Sequence, residues 1–187
     1  VISSTGVLER AMSRSIPVIT MNAELQITTG SYLAAKGFIT EAEGDQPGCL
    51  AALSEEIIQM GLSPLVYGNL KNFLNHNPTL NEMRFWAEKS GNSVANITSF
   101  TDGTKVQIEQ ALVANGLGAA IIKQELRGLT ADDVEAGAIE LAKDAKAIGM
   151  PVSDYLLSPK IPPGVFVTAG CEPCHKVYLR YYKMGEG

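Results

Sequence analysis

The chain has 187 residues, with 15 Lys and Arg against 20 Asp and Glu, a formal net charge of −5 and 45 % apolar residues. That composition supports a packed core in one large domain, or a domain plus part of another. The acidic balance excludes a nucleic-acid partner that needs a basic face. No apolar run approaches the ~18 residues of a membrane span, and no basic and apolar leader opens the chain.

The three cysteines, Cys49, Cys171 and Cys174, are too few and too unevenly spaced for a disulfide framework, so a cytoplasmic setting is expected. The chain opens on Val1-Ile2-Ser3-Ser4-Thr5-Gly6, which reads as the end of a buried strand and its turn. It closes on Tyr181-Tyr182-Lys183-Met184-Gly185-Glu186-Gly187. Both ends suggest a fragment of a longer protein; a short natural protein with trimmed termini is the alternative.

Helical spacing runs from Val7 to Ser15, and Pro17 precedes an apolar strand, Val18 to Met21. Thr28 or Thr29 is a candidate cap for a helix ending at Gly37. Phe38 to Ala42 reads as a strand and Gly44-Asp45-Gln46-Pro47-Gly48 as a sharp loop. Cys49 to Met60 is helical, Gly61 stops it, and Pro64 to Tyr67 is a third strand. Strand, helix, strand, helix, strand with short connections indicates βαβ units and a mostly parallel sheet. Ligands of such sheets sit at the carboxyl ends of the strands, so the loops after Met21, Ala42 and Tyr67 are expected on one edge.

Asn69 to Thr79 reads as a polar loop, Leu80 to Lys89 as a short helix, and Lys105 to Leu117 as a helix closed by Gly118. Thr130-Ala131-Asp132-Asp133 starts another helix that runs to about Ile148, its early acids suiting the helix dipole. Strands are expected at Val165 to Thr168 and at Val177 to Tyr182.

Four segments carry candidate chemistry. Met21-Asn22-Ala23-Glu24 follows a strand and can set an amide and a carboxylate against a flat ring; a plain turn is the competing reading. Glu43-Gly44-Asp45-Gln46-Pro47-Gly48 holds two carboxylates two residues apart, suited to a divalent cation, a substrate amine or a hydroxyl, or to a solvated turn. Lys71 in Tyr67-Gly68-Asn69-Leu70-Lys71 can neutralise an anion or polarise a carbonyl, although a lone loop lysine is usually solvated. In Ser99-Phe100-Thr101-Asp102-Gly103-Thr104-Lys105, a helix start, hydroxyls and Lys105 form an anion site, while Asp102 also suits a cap. Lys105 and Glu109 are four apart and can pair as a surface bridge.

Cys171-Glu172-Pro173-Cys174-His175 matches the C-x-x-C-H haem-attachment pattern, and a lone C-x-x-C can also bind zinc. No second cysteine pair and no export signal accompany it, so a loop between two strands is the default. Glycine-rich dinucleotide, Walker A and G-x-S-x-G patterns are absent.

The stretches Ser4-Thr5-Gly6, Val18 to Glu24, Gly44 to Gly48, Gly68-Asn69-Leu70-Lys71, Phe100-Thr101-Asp102-Gly103-Thr104-Lys105 and Tyr178 to Lys183 together resemble, in order, the homoserine dehydrogenase-like oxidoreductases. That group includes a 1-deoxyxylulose 5-phosphate reductoisomerase-like branch. The resemblance implies an α/β fold: the end of a Rossmann-type parallel sheet, residues 1–68, followed by an α+β catalytic and oligomerisation region, residues 69–187. It implies NAD or NADP as cofactor, a cofactor fingerprint preceding Val1, a small hydroxy or keto substrate, and a homo-oligomer. Thr5, Gly6, Asn22 and Glu24 would then face the cofactor, with Asp45, Lys71, Asp102 and Lys105 in catalysis. A non-catalytic sensory or scaffold domain descended from such an enzyme is the other expectation.

Overall fold

The computed structural model describes residues 1–183; residues 184–187, which close the terminal stretch quoted above, lie outside the described residues. Strand β3 (Ser63–Lys71) organises the molecule. It is central in a four-stranded sheet of order β4-β5-β3-β6, with β4 (Leu129–Thr130), β5 (Val152–Leu157) and β6 (Gly164–Gly170). β3 runs parallel to β5 and antiparallel to β6, and β4 runs parallel to β5. A separate parallel pair joins β1 (Val18–Thr20) to β2 (Ile39–Glu41). The architecture is α/β with parallel pairing dominant.

Side-chain alternation along β3 divides the core. Val66 packs with Val152 and Leu156 of β5 against Leu141, Ala142 and Ala145 of α8 (Val134–Ile148). Tyr67 points to the other face, where it meets Leu50 of α4 (Gln46–Gln59) and Val113 of α7 (Thr104–Leu117). Burying a side chain such as Leu141 or Leu50 is worth roughly 1.5–3 kcal/mol, so the two helix layers clamp the sheet from both sides. Gly68 is required between them: a Cβ there would lie 2.0 Å from the Phe166 ring, which crosses it from the paired position on β6.

Two helices stop at the glycines that the sequence marks. Gly118 and Gly149 take left-handed φ values of 68° and 74° after α7 and α8. Asp133 caps α8 by accepting from the N–H groups of Glu135 and Ala136. Helix α5 (Leu80–Ser90) opens on a reciprocal capping box between Thr79 and Glu82.

Several expectations are corrected. Residues 2–6 are not a strand end and turn but the first turns of α1 (Ile2–Met12). Leu8, Ala11 and Met12 pack on Val18, Leu25 and Leu33, and this helical-face burial outweighs the β-forming character of the opening residues. The helix after β1 starts at Asn22, not at Thr28 or Thr29. It runs as α2 (Ala23–Leu25), a π-helical turn (Gln26–Gly30) and α3 (Ser31–Ala34). The two threonine hydroxyls bond back to Glu24 O and Leu25 O within that stretch.

β3 does not extend the β1–β2 pair, so the three strand ends do not share one sheet edge. It also continues through Asn69 to Lys71, where a loop is expected, and position 68 falls inside it. The polar helix start at 130–133 is preceded by β4. A strand at 152–157 and α6 (Val94–Thr101) are additional elements. Residues 177–182 are not a strand: α9 (Pro173–Tyr181) takes 177–181 and Tyr182 is its C-cap. Proline near its start and the Glu172–His175 capping box nucleate α9, and among the described residues β6 pairs with β3 on one edge and with no strand on the other.

Candidate active site

Period-two geometry sets Tyr67, Asn69 and Lys71 on one face of β3, toward α7. Helical pitch brings Val106, Glu109, Gln110 and Val113 of α7 onto its buried side, so two polar residues occupy core positions. Glu109 is fully buried, and four side chains on three elements turn donors or positive charge toward it. Its Oε2 accepts from Asn69 Nδ2 at 2.9 Å and from Lys71 Nζ at 3.3 Å. Its Oε1 lies 3.6 Å from Lys105 Nζ, one turn back on the same helix. Oriented to match its neighbours, the Gln46 amide donates to Glu109 Oε1 at 3.0 Å and to Asp45 Oδ1 at 2.5 Å.

Two ammonium groups therefore converge on one carboxylate from different elements, β3 and α7. Burial pushes the Glu109 carboxyl above its ordinary range, against the opposing pull of Lys71 and Lys105. Asp45, 6 % exposed, precedes α4 at the N-cap position, yet its side chain makes no cap bond and turns to Gln46 instead. Its Oδ2 has no partner. Glu41, last residue of β2, completes the group: both of its carboxyl oxygens are buried without a partner. Burial first, then the charges of Asp45 and Glu109, push Glu41 up to about 7, against the pull of Lys105.

Gly48 makes this closeness possible. A Cβ there would meet the Ala42 carbonyl oxygen at 2.1 Å, so only glycine lets the start of α4 rest on the end of β2.

Beside the cluster, Lys105 also borders an open cleft of about 620 Å³ with Met21, Asn22, Glu24, Asn96, Ser99 and Phe100. Its ammonium sits over the Phe100 ring at 4.9 Å. Lys105 is thus held between a buried carboxylate and an aromatic face, with one side open to the cleft. That arrangement suits stabilisation of a developing negative oxygen.

The predicted residues divide. Asp45, Lys71 and Lys105 belong to the Glu109 cluster, and Asn22 and Glu24 border the cleft that Lys105 also faces. Asn22 Oδ1 is engaged as an N-cap, accepting from Leu25 N at 2.9 Å. Asp102 lies outside both: its Oδ1 accepts from Thr104 N at 2.8 Å and shapes the turn between α6 and α7. The Ser99 and Thr101 hydroxyls bond carbonyls within α6 and are not free for an anion. Thr5 and Gly6 sit in α1, where the Thr5 hydroxyl meets Val1 O and the Thr29 hydroxyl. Glu109, Glu41, Asn69 and Gln46 are site residues that pattern reading overlooks. The Lys105–Glu109 pair is not a surface bridge, because its carboxylate is wholly buried.

Among the described residues no three His, Cys, Asp or Glu side chains stand where they could share a metal ion. The C-x-x-C-H segment is a helix start, not a loop between strands. His175 Nδ1 accepts from Glu172 N at 3.2 Å, and Cys171 and Cys174 are free thiols. Among the described residues no helix is long and apolar enough to cross a membrane.

No curated protein matches the sequence. Residues 44–187, more than half of the chain, match the family described as "Oxidoreductase DRL, catalytic domain". That span contains β3, α7 and α4, and with them Asp45, Asn69, Lys71, Lys105 and Glu109. The chain belongs to the oxidoreductase DRL catalytic-domain family.

Proposed function

We propose that the protein interconverts a small hydroxy compound and its keto form with NAD or NADP, as the homoserine dehydrogenase-like group and its reductoisomerase-like branch would do. The observation that carries this reading is the double lysine pairing on buried Glu109, which leaves Lys105 facing a cleft bordered by Asn22 and Glu24. A cleft of several hundred Å³ with an aromatic wall and convergent polar side chains suits a small-molecule site.

The residues present fit the nicotinamide end of such a cofactor in kind: Asn22 and Glu24 offer polar groups and Phe100 a flat apolar face at one cleft. When bound, the dinucleotide would supply or accept a hydride. Lys105 would hold the substrate oxygen and stabilise the negative charge that grows on it. Lys71 would balance Glu109, so that Lys105 is not locked into a closed pair. Asn69 would fix the Glu109 carboxylate from the other side. The cleft is the place of the small-molecule substrate, and a homo-oligomer is part of the proposal.

NADPH fluorescence titration of a protein that carries the cofactor fingerprint expected before Val1, followed by turnover of candidate hydroxy and keto compounds, tests the reading. Binding, with turnover reduced ~10²-fold or more in Lys105→Ala while the circular dichroism spectrum is unchanged, is the expected result. No fluorescence change with NADH or NADPH overturns it.

A further inference from the structure

We propose that the protein self-associates through α8, two copies packing these helices antiparallel about a two-fold axis between Ile139 and Ala142. The inference rests on the homo-oligomer in the reading above and names its surface; it uses none of that reading's redox chemistry.

The surface comes from how α8 sits on the sheet. Leu141 and Ala145 pack on Val66 of β3 and on Val152 and Leu156 of β5, so the helix lies over those two strands. β6 is left beside it, with all of its residues half-buried. A groove of about 830 Å³ results, with Leu65 and Phe166 on its floor and α8 as its wall. Among the described residues no strand pairs with the outer edge of β6.

The wall is a single stripe. Glu135, Ala138, Ile139, Ala142, Lys143 and Lys146 line the groove, at the spacing of one helical face. The middle of the stripe is apolar, with Ile139 49 % exposed between the small Ala138 and Ala142. Apolar surface of this kind, with charges at its ends, marks an interaction surface.

Charge selects the occupant. Glu135 stands in the first turn of α8 and Lys146 in the last, about 16 Å away along the axis. Neither forms an ion pair among the described residues, whereas Lys143 is held by Glu140 at 2.8 Å. Two antiparallel copies of the stripe place Glu135 of each opposite Lys146 of the other. The same operation sets Ile139 of each over Ala142 of the other, where the small side chain leaves it room. Every contact is made twice, as a closed two-fold interface requires. Parallel helices would set like charges on like, a costly arrangement. A face complementary to itself in charge, shape and direction fits a second copy of this chain.

Sedimentation equilibrium of the 187-residue chain, without cofactor or substrate and at up to about 100 μM, tests the proposal. A dimer is expected, and raised salt should weaken it. Glu135→Lys sets lysine against lysine at both ends of the interface, and Lys146→Glu sets glutamate against glutamate. Each should raise the dissociation constant ~10-fold or more. The double variant Glu135→Lys/Lys146→Glu rebuilds both pairs and should return the constant toward the wild-type value. Ile139→Glu, an exposed mid-helix change away from the charged ends, should abolish the dimer with the circular dichroism spectrum unchanged.

A monomeric wild type overturns the proposal. So does a dimer that neither charge reversal nor Ile139→Glu weakens, because another surface would then hold it. A double variant that associates no more tightly than the single ones overturns it as well. Nicotinamide binding is read separately: a dimer held by this face in a protein with no nicotinamide response would keep the interface and fail the oxidoreductase reading.

Discussion

Lys71 and Lys105 reach the same buried carboxylate, that of Glu109, from two different elements, at 3.3 Å and 3.6 Å. Each lysine is only partly exposed, so neither pairing is screened as a surface bridge would be. Glu109 therefore ties α7 to β3 at the point where Lys105 meets the cleft. Glu109→Ala would strand two ammonium groups and the Asn69 amide. A loss of about 2–4 kcal/mol is expected, with Glu109→Gln falling between it and wild type. Urea denaturation measures this; a Glu109→Ala chain as stable as wild type would contradict the tie.

Glycine substitutions give a paired prediction. Gly48→Ala places a Cβ 2.1 Å from a backbone oxygen, where no side-chain movement can relieve it. The start of α4 must move away from β2, and a loss of about 2 kcal/mol or more is expected. Gly6→Ala meets nothing within 4 Å and lies inside α1. It should stabilise by up to ~1 kcal/mol. Thermal melting of both variants checks the contrast, and equal melting temperatures would count against the β2–α4 contact.

The two sides of that contact differ in how far the sequence reveals them. Helix limits are legible because they are local: Gly118 and Gly149 permit left-handed ends, and Asp133 carries its own cap. The site is less legible because its central residue breaks a local rule. Glu109 and Gln110 sit at core positions of the Val106 and Val113 stripe, and spacing alone reads a Lys–Glu pair four apart as a surface bridge. The signal was an apolar stripe with two polar members. Their partners, Asn69 on β3 and Ser153 on β5, are ~40 residues away in sequence.

The same cause hides β5: Ser153 and Asp154 interrupt its apolar pattern, and both are fully buried in bonds that only the folded chain supplies. At the C-terminal end the error is one of period. Val177 to Tyr182 alternates as a strand would, but the Glu172–His175 box and Pro173 start a helix.

Stability should depend on pH through Glu41. Its folded pKa is raised to about 7 from 4.5, so the folded state keeps a proton that the unfolded chain loses. This contribution is complete below the unfolded pKa and disappears as pH rises through the folded one. Stability should therefore fall between those two values, by on the order of 1 kcal/mol once screening at this part-exposed residue is allowed for. Denaturation midpoints in that window check it. Glu41→Gln should flatten the slope, and a wild-type profile that rises with pH there would oppose the assignment.

Gln110 offers the last prediction, because it ties α7 to the sheet through bonds other than those of the charged cluster. Its Nε2 donates to Tyr67 O at 2.9 Å, Ser153 Oγ at 3.1 Å and Asp154 O at 2.7 Å, while Ser153 Oγ donates back to Gln110 O at 2.8 Å. Gln110 and Glu109 are adjacent, so whatever loosens one shifts the other. Gln110→Met keeps the volume but removes the donor from three buried acceptors. A loss of about 1–3 kcal/mol is expected, the cost of leaving buried oxygens unpaired. Displacement of α7 would also move Lys105 from its place over Phe100, so under the proposed function turnover should fall more than cofactor affinity. Denaturant melts paired with NADPH titration separate the two effects. A Gln110→Met chain with wild-type stability and turnover would show that the Glu109 cluster alone sets the position of α7.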